Sequence, residues 1–220
     1  MSVKENLNAI RRTIEKTAQA WNRSAEEINL VAVSKNQPPE KIMEALEEGH
    51  RLFGENRVQE AIRHWKELKP LYPGLKLHLI GPLQTNKVRE AVELFDMIET
   101  VDREKLAGKL AEEIQKQKRS VPCLIQVNTG QEDQKAGVEP ENLPAFLDFC
   151  RRECKLDIRG LMCIPPVDEP PALHFALLRK LAEENALADL SMGMSADYEK
   201  AIPLGATYIR VGTALFGQRS

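Results

Sequence analysis

Short apolar runs rich in β-branched residues alternate with longer amphipathic stretches along the chain, and few folds can satisfy that order. The runs are Ile28–Lys35, Arg51–Phe53, Lys76–Ile80, Met97–Val101, Val121–Asn128, Asp157–Ile164, Ala188–Met192 and Thr207–Val211. Between the first two, Ile42, Ala45 and Leu46 repeat at helical spacing, and further helical stretches lie near 55–69, 84–94, 103–118, 141–153, 170–186 and 195–203. Strands separated by helices pair in parallel through right-handed crossovers. Eight such units point to a closed barrel rather than an open sheet. An open doubly wound sheet would also favour a glycine-rich first turn, and the segment SKNQPPE has no glycine. Ahead of the first strand, Val3, Leu7, Ile10, Ile14, Ala18 and Trp21 recur at three and four residues, which makes one stripe of an additional helix. No linker or low-complexity tract divides the sequence. The expected fold is a single α/β domain over residues 1–220, a (β/α)8 TIM barrel with an extra N-terminal helix.

Charge and composition narrow the function classes. The chain has 31 basic against 33 acidic residues and a net charge of −2, which argues against a nucleic-acid binder. No apolar run approaches the ~20 residues needed to cross a bilayer. The N-terminal stretch MSVKENLNAIRRT lacks the apolar core of a secretory signal, so a cytoplasmic protein is expected. Cys123 and Cys163 lie inside apolar runs, and Cys150 and Cys154 share a helix face with no zinc-type spacing. Buried thiols in a reducing compartment explain all four. His50, His64, His78 and His174 are scattered, so no metal is expected.

A barrel of this kind carries its active site on the loops that follow the strands. Lys35 ends the first run, on the inward side with Val31 and Val33. A buried ammonium is costly, and desolvation would make the free amine a nucleophile toward aldehydes; a lysine reaching out to solvent is the plainer alternative. Asn56 either caps the helix after strand two or contacts a ligand. His78 reads as a buried, hydrogen-bonded histidine. Asn128 and Lys135, in the polar segment QVNTGQEDQKAG, are placed to reach the barrel mouth, and Met162 to form an apolar wall.

The last two strand ends look like an anion site. Gly193 and Ser195 precede a helix, and Gly212-Thr213 ends strand eight, the usual phosphate position in this barrel class. Ordinary capping by Ser195 and a plain glycine turn remain the alternative. Asp197 in the same turn would repel an anion unless it points away. Arg210 shares the inward face with Tyr208 and needs a partner, for which a cofactor heteroatom, Glu55 and Asp96 are candidates.

Read together, AVSK, FGENRVQE, HLIGPLQTNK, QVNTGQEDQKAG, GLMCIP, LSMGMSADYEKAI and IRVGTALFG occur in this order from strand one to the end of the chain. They resemble the pyridoxal 5′-phosphate (PLP) homeostasis proteins, which are similar to the barrel domain of alanine racemase, a fold-type III PLP protein. The resemblance implies that Lys35 forms the internal aldimine with PLP. It implies that Ser195, Gly212 and Thr213 surround the cofactor phosphate, and that Asn56 and Met162 line the cofactor pocket. It also implies that Arg210 faces the pyridine nitrogen and keeps it unprotonated, which weakens the ring as an electron sink. The expected function is non-enzymatic: PLP binding in vitamin B6 homeostasis by a carrier or buffer, with PLP-dependent apoenzymes as its partners. A monomer is expected.

The rival reading is a fold-type III amino-acid racemase. Racemisation needs a base on each face of the substrate Cα. In racemases the second is a tyrosine from another domain, which a chain ending at Ser220 is expected to lack. A phosphate-binding barrel without PLP is the third reading, and it leaves Lys35 unexplained.

Overall fold

The computed structural model describes residues 2–132 and 134–218. Helix α1 (Val3–Ala20) comes first, and its start is fixed chemically. Ser2 accepts from the Glu5 amide, while the Glu5 carboxylate accepts from the Ser2 amide, a reciprocal capping box. Val3, Leu7, Ile10, Ile14 and Ala18 are buried as the spacing requires, but Trp21 ends the helix and is 62% exposed. Leu7 is fully buried, so Leu7→Ala would cost ~2–5 kcal/mol.

The strand–helix units follow in order. They are β1 (Asn29–Val33) and α2 (Pro39–Glu47), β2 (Leu52–Glu55) and α3 (Val58–Trp65), β3 (Lys76–Leu79) and α4 (Val88–Leu94), and β4 (Met97–Val101) and α5 (Glu104–Gln117). The second half runs β5 (Cys123–Gln126) and α6 (Leu143–Asp148), β6 (Ile158–Met162) and α7 (Pro171–Glu184), β7 (Asp189–Met194) and α8 (Tyr198–Ala201), then β8 (Tyr208–Val211) and α9 (Thr213–Phe216). Each strand pairs in parallel with its sequence neighbour, and β8 returns to β1 through Val31 opposite Arg210, which closes the barrel. The expected topology is the observed one. Strand ends differ. β1 stops at Val33, two residues before Lys35, and β7 runs on to Met194.

Most buried apolar side chains lie between the strands and the helical ring. The barrel interior has its own small apolar cluster, Met97, Leu124 and Met162, with Tyr208 packed against it. Two residues further along β4 and β8, toward the C-terminal end of the barrel, the interior turns polar with Glu99 and Arg210. Every site residue below stands on that end.

Among the described residues, Cys123, Cys150, Cys154 and Cys163 are free thiols; all but Cys154 are buried. Burial pushes the Cys150 and Cys163 thiols up to about 12, so neither is a nucleophile at neutral pH.

Candidate functional site

The Lys35 turn is held from both sides. The Ser34 amide continues the β1–β2 ladder to the Gly54 carbonyl at 3.1 Å. The Ser34 hydroxyl donates to Glu55 Oε1 at 2.7 Å. Beyond Lys35, Asn36 adopts a left-handed backbone (φ 55°), and its amide donates to the buried Glu60 carboxylate. The segment flanking the amine is thus tied to β2 and α3. Glu55 is fully buried and also accepts from Trp65 Nε1 and pairs with His64 Nδ1, each at 3.0 Å. The hydrogen bond to Glu55 raises the His64 pKa against the opposing effect of burial, with the Glu55 and Glu60 charges helping.

Lys35 is half-buried and opens onto a cavity of about 280 Å³ at the barrel mouth. Asn56, Ser195, Arg210, Gly212 and Thr213 line the same cavity. Its apolar walls are Val33, Ile80, Ile164 and Met194, the last two partly exposed. Gln37 and Ala196 complete it. Lys35 and Arg210 are the only ionisable residues among the described ones lining it.

Arg210 is buried and anchored at the inner end. Nη1 donates to Ser191 Oγ at 2.7 Å, and Nη2 donates to the Cys163 carbonyl at 2.8 Å. Ser191 passes the interaction on, donating to Glu99 Oε2 at 2.5 Å, while Glu99 Oε1 pairs with His78 Nδ1 at 2.7 Å. Burial alone would raise the Glu99 pKa. The His78 hydrogen bond and charge, the Arg210 charge and the Ser191 hydroxyl together hold it below its ordinary value. Arg210 therefore answers to Glu99 through Ser191, rather than to Glu55 or Asp96. His78 is the buried, hydrogen-bonded histidine expected.

At the other end, Ser195 Oγ accepts from the Gly212 amide at 3.2 Å and from the Ala214 amide at 3.3 Å. The Ser195 hydroxyl thus joins the β7 loop to the Gly212 and Ala214 amides at the end of β8. Asp197 does not intrude. Its Oδ1 turns back to accept from the Met194 amide at 2.5 Å. Gly193 makes this fold of the loop possible: its φ is +91°, and a Cβ there would sit 2.9 Å from the Tyr198 Cα. A Cβ on Gly212 would meet nothing closer than 3.4 Å, on Val33, a cavity wall.

Asn56 does not cap α3, whose N-terminal position is Arg57 without a side-chain cap. Its Oδ1 is buried and has no hydrogen-bond partner among the described residues. Gly81 clamps its backbone, since a Cβ at Gly81 would fall 2.4 Å from the Asn56 carbonyl oxygen.

Three expected positions lie elsewhere. Met162 is fully buried in the interior cluster with Met97 and Leu124, away from the cavity lining, because it points inward one pleat earlier than Ile164. Asn128 is buried and pins its own loop, donating to the Glu132 carbonyl at 3.1 Å and to Glu139 Oε1 at 2.9 Å. Lys135 pairs with Glu132 at 2.5 Å. The sequence reading passed over Gln37, Ile164, Met194 and Ala196. Ile164 was legible as the next inward position after Met162. Glu99, a carboxylate two residues beyond Met97 in the run MIETV, marked the partner of Arg210.

The residues fit a small planar phosphoaldehyde. An amine and a fixed guanidinium line the cavity with a hydroxyl and amide cradle, apolar side chains wall it, and one buried acceptor lacks a donor.

The chain as a whole is similar to known proteins. Residues 5–220 match the family described as alanine racemase, N-terminal domain. The chain is 42% identical over 228 residues to the pyridoxal phosphate homeostasis protein of Vibrio cholerae, covering 99% of this chain and 97% of that one. Among solved structures, PipY of Synechococcus elongatus PCC7942 without PLP superimposes with a TM-score of 0.88 at 41% identity, over 98% of this chain and 100% of that one. The same protein with PLP bound gives 0.83 at 39% identity, with the same coverage. Among the described residues, no helix is long and apolar enough to cross a membrane.

Proposed function

This chain belongs to the pyridoxal phosphate homeostasis protein family, and on that premise we propose that its barrel-mouth cavity binds PLP and that the protein acts as an intracellular carrier or buffer of the cofactor. The observation that carries the reading is the placing of Lys35 in one cavity with the Ser195–Gly212 cradle and Arg210. PLP supplies an aldehyde that traps amines and a ring that can withdraw electrons.

Each residue then has a task. Lys35 would hold the cofactor through its amine, the group that an aldehyde engages. The Ser34–Glu55 and Asn36–Glu60 hydrogen bonds hold the flanking backbone, so that the amine is presented from a fixed turn. Ser195, the Gly212 amide and Thr213 would hold the phosphate. Arg210, fixed by Ser191 and the Cys163 carbonyl, would face the ring nitrogen with its guanidinium and disfavour a proton there. Asn56 offers its unpartnered oxygen to a donor on the cofactor.

The same inventory favours storage over turnover. Lys35 is the one amine among the described residues that line the cavity. Tyr208 lies in the interior with its hydroxyl pushed up to about 12, by burial first and then by the charges of Asp189 and Glu99. A second proton-transfer group on the opposite face is therefore missing from this set.

Loading with PLP followed by gel filtration tests the proposal. An equimolar amount should remain bound and should pass to an added apoenzyme that needs PLP. Cofactor lost completely on the column would contradict it.

A further inference from the structure

We propose that a second anion-binding site lies beside the first, in the cleft formed by the loops after β2, β3 and β4, and that it takes a small molecule bearing two or more phosphate or carboxylate charges. The cleft has a volume of about 660 Å³. Arg57, Lys87 and Arg103 line it, and none of its lining residues is acidic. The whole chain carries a net charge of −2, so three cations on one concave surface do not reflect a generally basic protein.

The helix ends sharpen the argument. Arg57 occupies the N-cap of α3 and Arg103 the N-cap of α5, and neither helix has a side-chain cap. That position ordinarily carries Ser, Thr, Asp or Asn, because the helix start presents unpaired amides and a partial positive charge. A cation there works against its own helix. The two arginines thus stand where an acceptor belongs, on one cleft, and an external anion would relieve both.

The charges are offset internally only in part. Among the described residues the Arg57 side chain has no ion pair or hydrogen bond. Lys87 has only Glu90, at 3.7 Å. Arg103 pairs with Asp102 at 2.5 Å, while its Nη2 donates to the Leu83 carbonyl at 2.8 Å, which fixes the guanidinium at the cleft edge. Gln59 and Gln84 add amide donors to the lining. Asn56 belongs to both cavities, so the two sites are neighbours with one side chain between them. The assignment rests on the cleft's own residues and stands whether or not the first cavity takes PLP.

Calorimetric titration of the PLP-saturated protein with pyrophosphate, and separately with citrate, at low salt is the test. Saturable binding of at least one is expected, with pyrophosphate and citrate separating phosphate from carboxylate preference. Arg57→Ala and Lys87→Ala should each weaken it about tenfold, the loss of one charge-assisted contact. Arg57→Lys should retain most of the affinity. The exposed Arg57 side chain makes no hydrogen bond or ion pair among the described residues, so its variants should keep the wild-type urea midpoint. The proposal is overturned if neither anion binds saturably, if both alanine variants bind as the wild type does, or if bound PLP is released in proportion to the anion taken up. That last result would mean competition for the first cavity.

Discussion

The hydroxyl of Ser34 and the carboxylate of Glu55 are joined at 2.7 Å between the ends of adjacent strands, one residue ahead of Lys35. With the Asn36–Glu60 bond on the other side, the turn bearing the amine is tied to two buried carboxylates. Ser34→Ala should cost ~1 kcal/mol of stability, the net value of an ordinary hydrogen bond. Glu60→Ala should weaken PLP binding by more than its change in urea midpoint explains, while Glu60→Gln, which keeps an acceptor, should restore it. Wild-type PLP affinity in Glu60→Ala would remove the anchoring role.

Ser195 Oγ gathers the Gly212 and Ala214 amides in the protein alone. Ser195→Ala should lose ~1.5–3 kcal/mol of cofactor binding, roughly ten- to a hundredfold in Kd, with the barrel intact. Gly212→Val should be worse, because its side chain would grow from a Cβ beside Val33 into the cavity. Fluorescence titration with PLP measures both. A Ser195→Ala affinity within about twofold of the wild type would show the phosphate is held elsewhere.

Stability should fall on mild acidification because of His50. Burial depresses its pKa to about 4, against the Leu52 carbonyl hydrogen bond and with help from the Arg11 and Arg51 charges. The unfolded chain takes up this proton below about 6.5 and the native protein does not. Stability is therefore full above the unfolded pKa and is lost as pH falls toward 4. Between pH 7 and 5 the loss from this residue is about 2 kcal/mol. Urea unfolding of the wild type and His50→Leu at both pH values isolates it; an equal pH dependence in the two proteins would refute the assignment.

Amino-acid turnover should stay close to that of free PLP. A positioned acid or base contributes about 10²–10⁴-fold, and the cavity supplies one base, Lys35. Racemisation of alanine, serine or glutamate followed by chiral chromatography is the assay. A kcat above about 1 s⁻¹ that disappears in Lys35→Ala would promote the racemase reading.

The architecture was readable because parallel strands buried on both faces leave continuous apolar runs, and the helices between them leave little choice of topology. Strand ends were less readable. Lys35 extends the alternation of β1, yet the turn at Asn36 and the Glu60 contact end the strand at Val33. Ser195, Gly212 and Thr213 stand out because each follows an apolar run closely, and Arg210 because it shares the inward face of β8 with Tyr208. Met162 could not be separated from Ile164 by alternation, since both point inward and only the depth of the barrel tells wall from floor. The Asn128 and Lys135 contacts depend on how one loop folds on itself, which local sequence does not encode.

Everything proposed for the first cavity turns on which amine carries the cofactor. Borohydride reduction of the PLP-loaded protein, followed by proteolysis and mass spectrometry, converts the linkage into a stable label on one peptide. The label is expected on Lys35 and should vanish in Lys35→Ala, together with the visible absorbance of the bound cofactor. A label on Lys87 or Lys135 in the wild type, or one that persists undiminished in Lys35→Ala, would contradict the assignment.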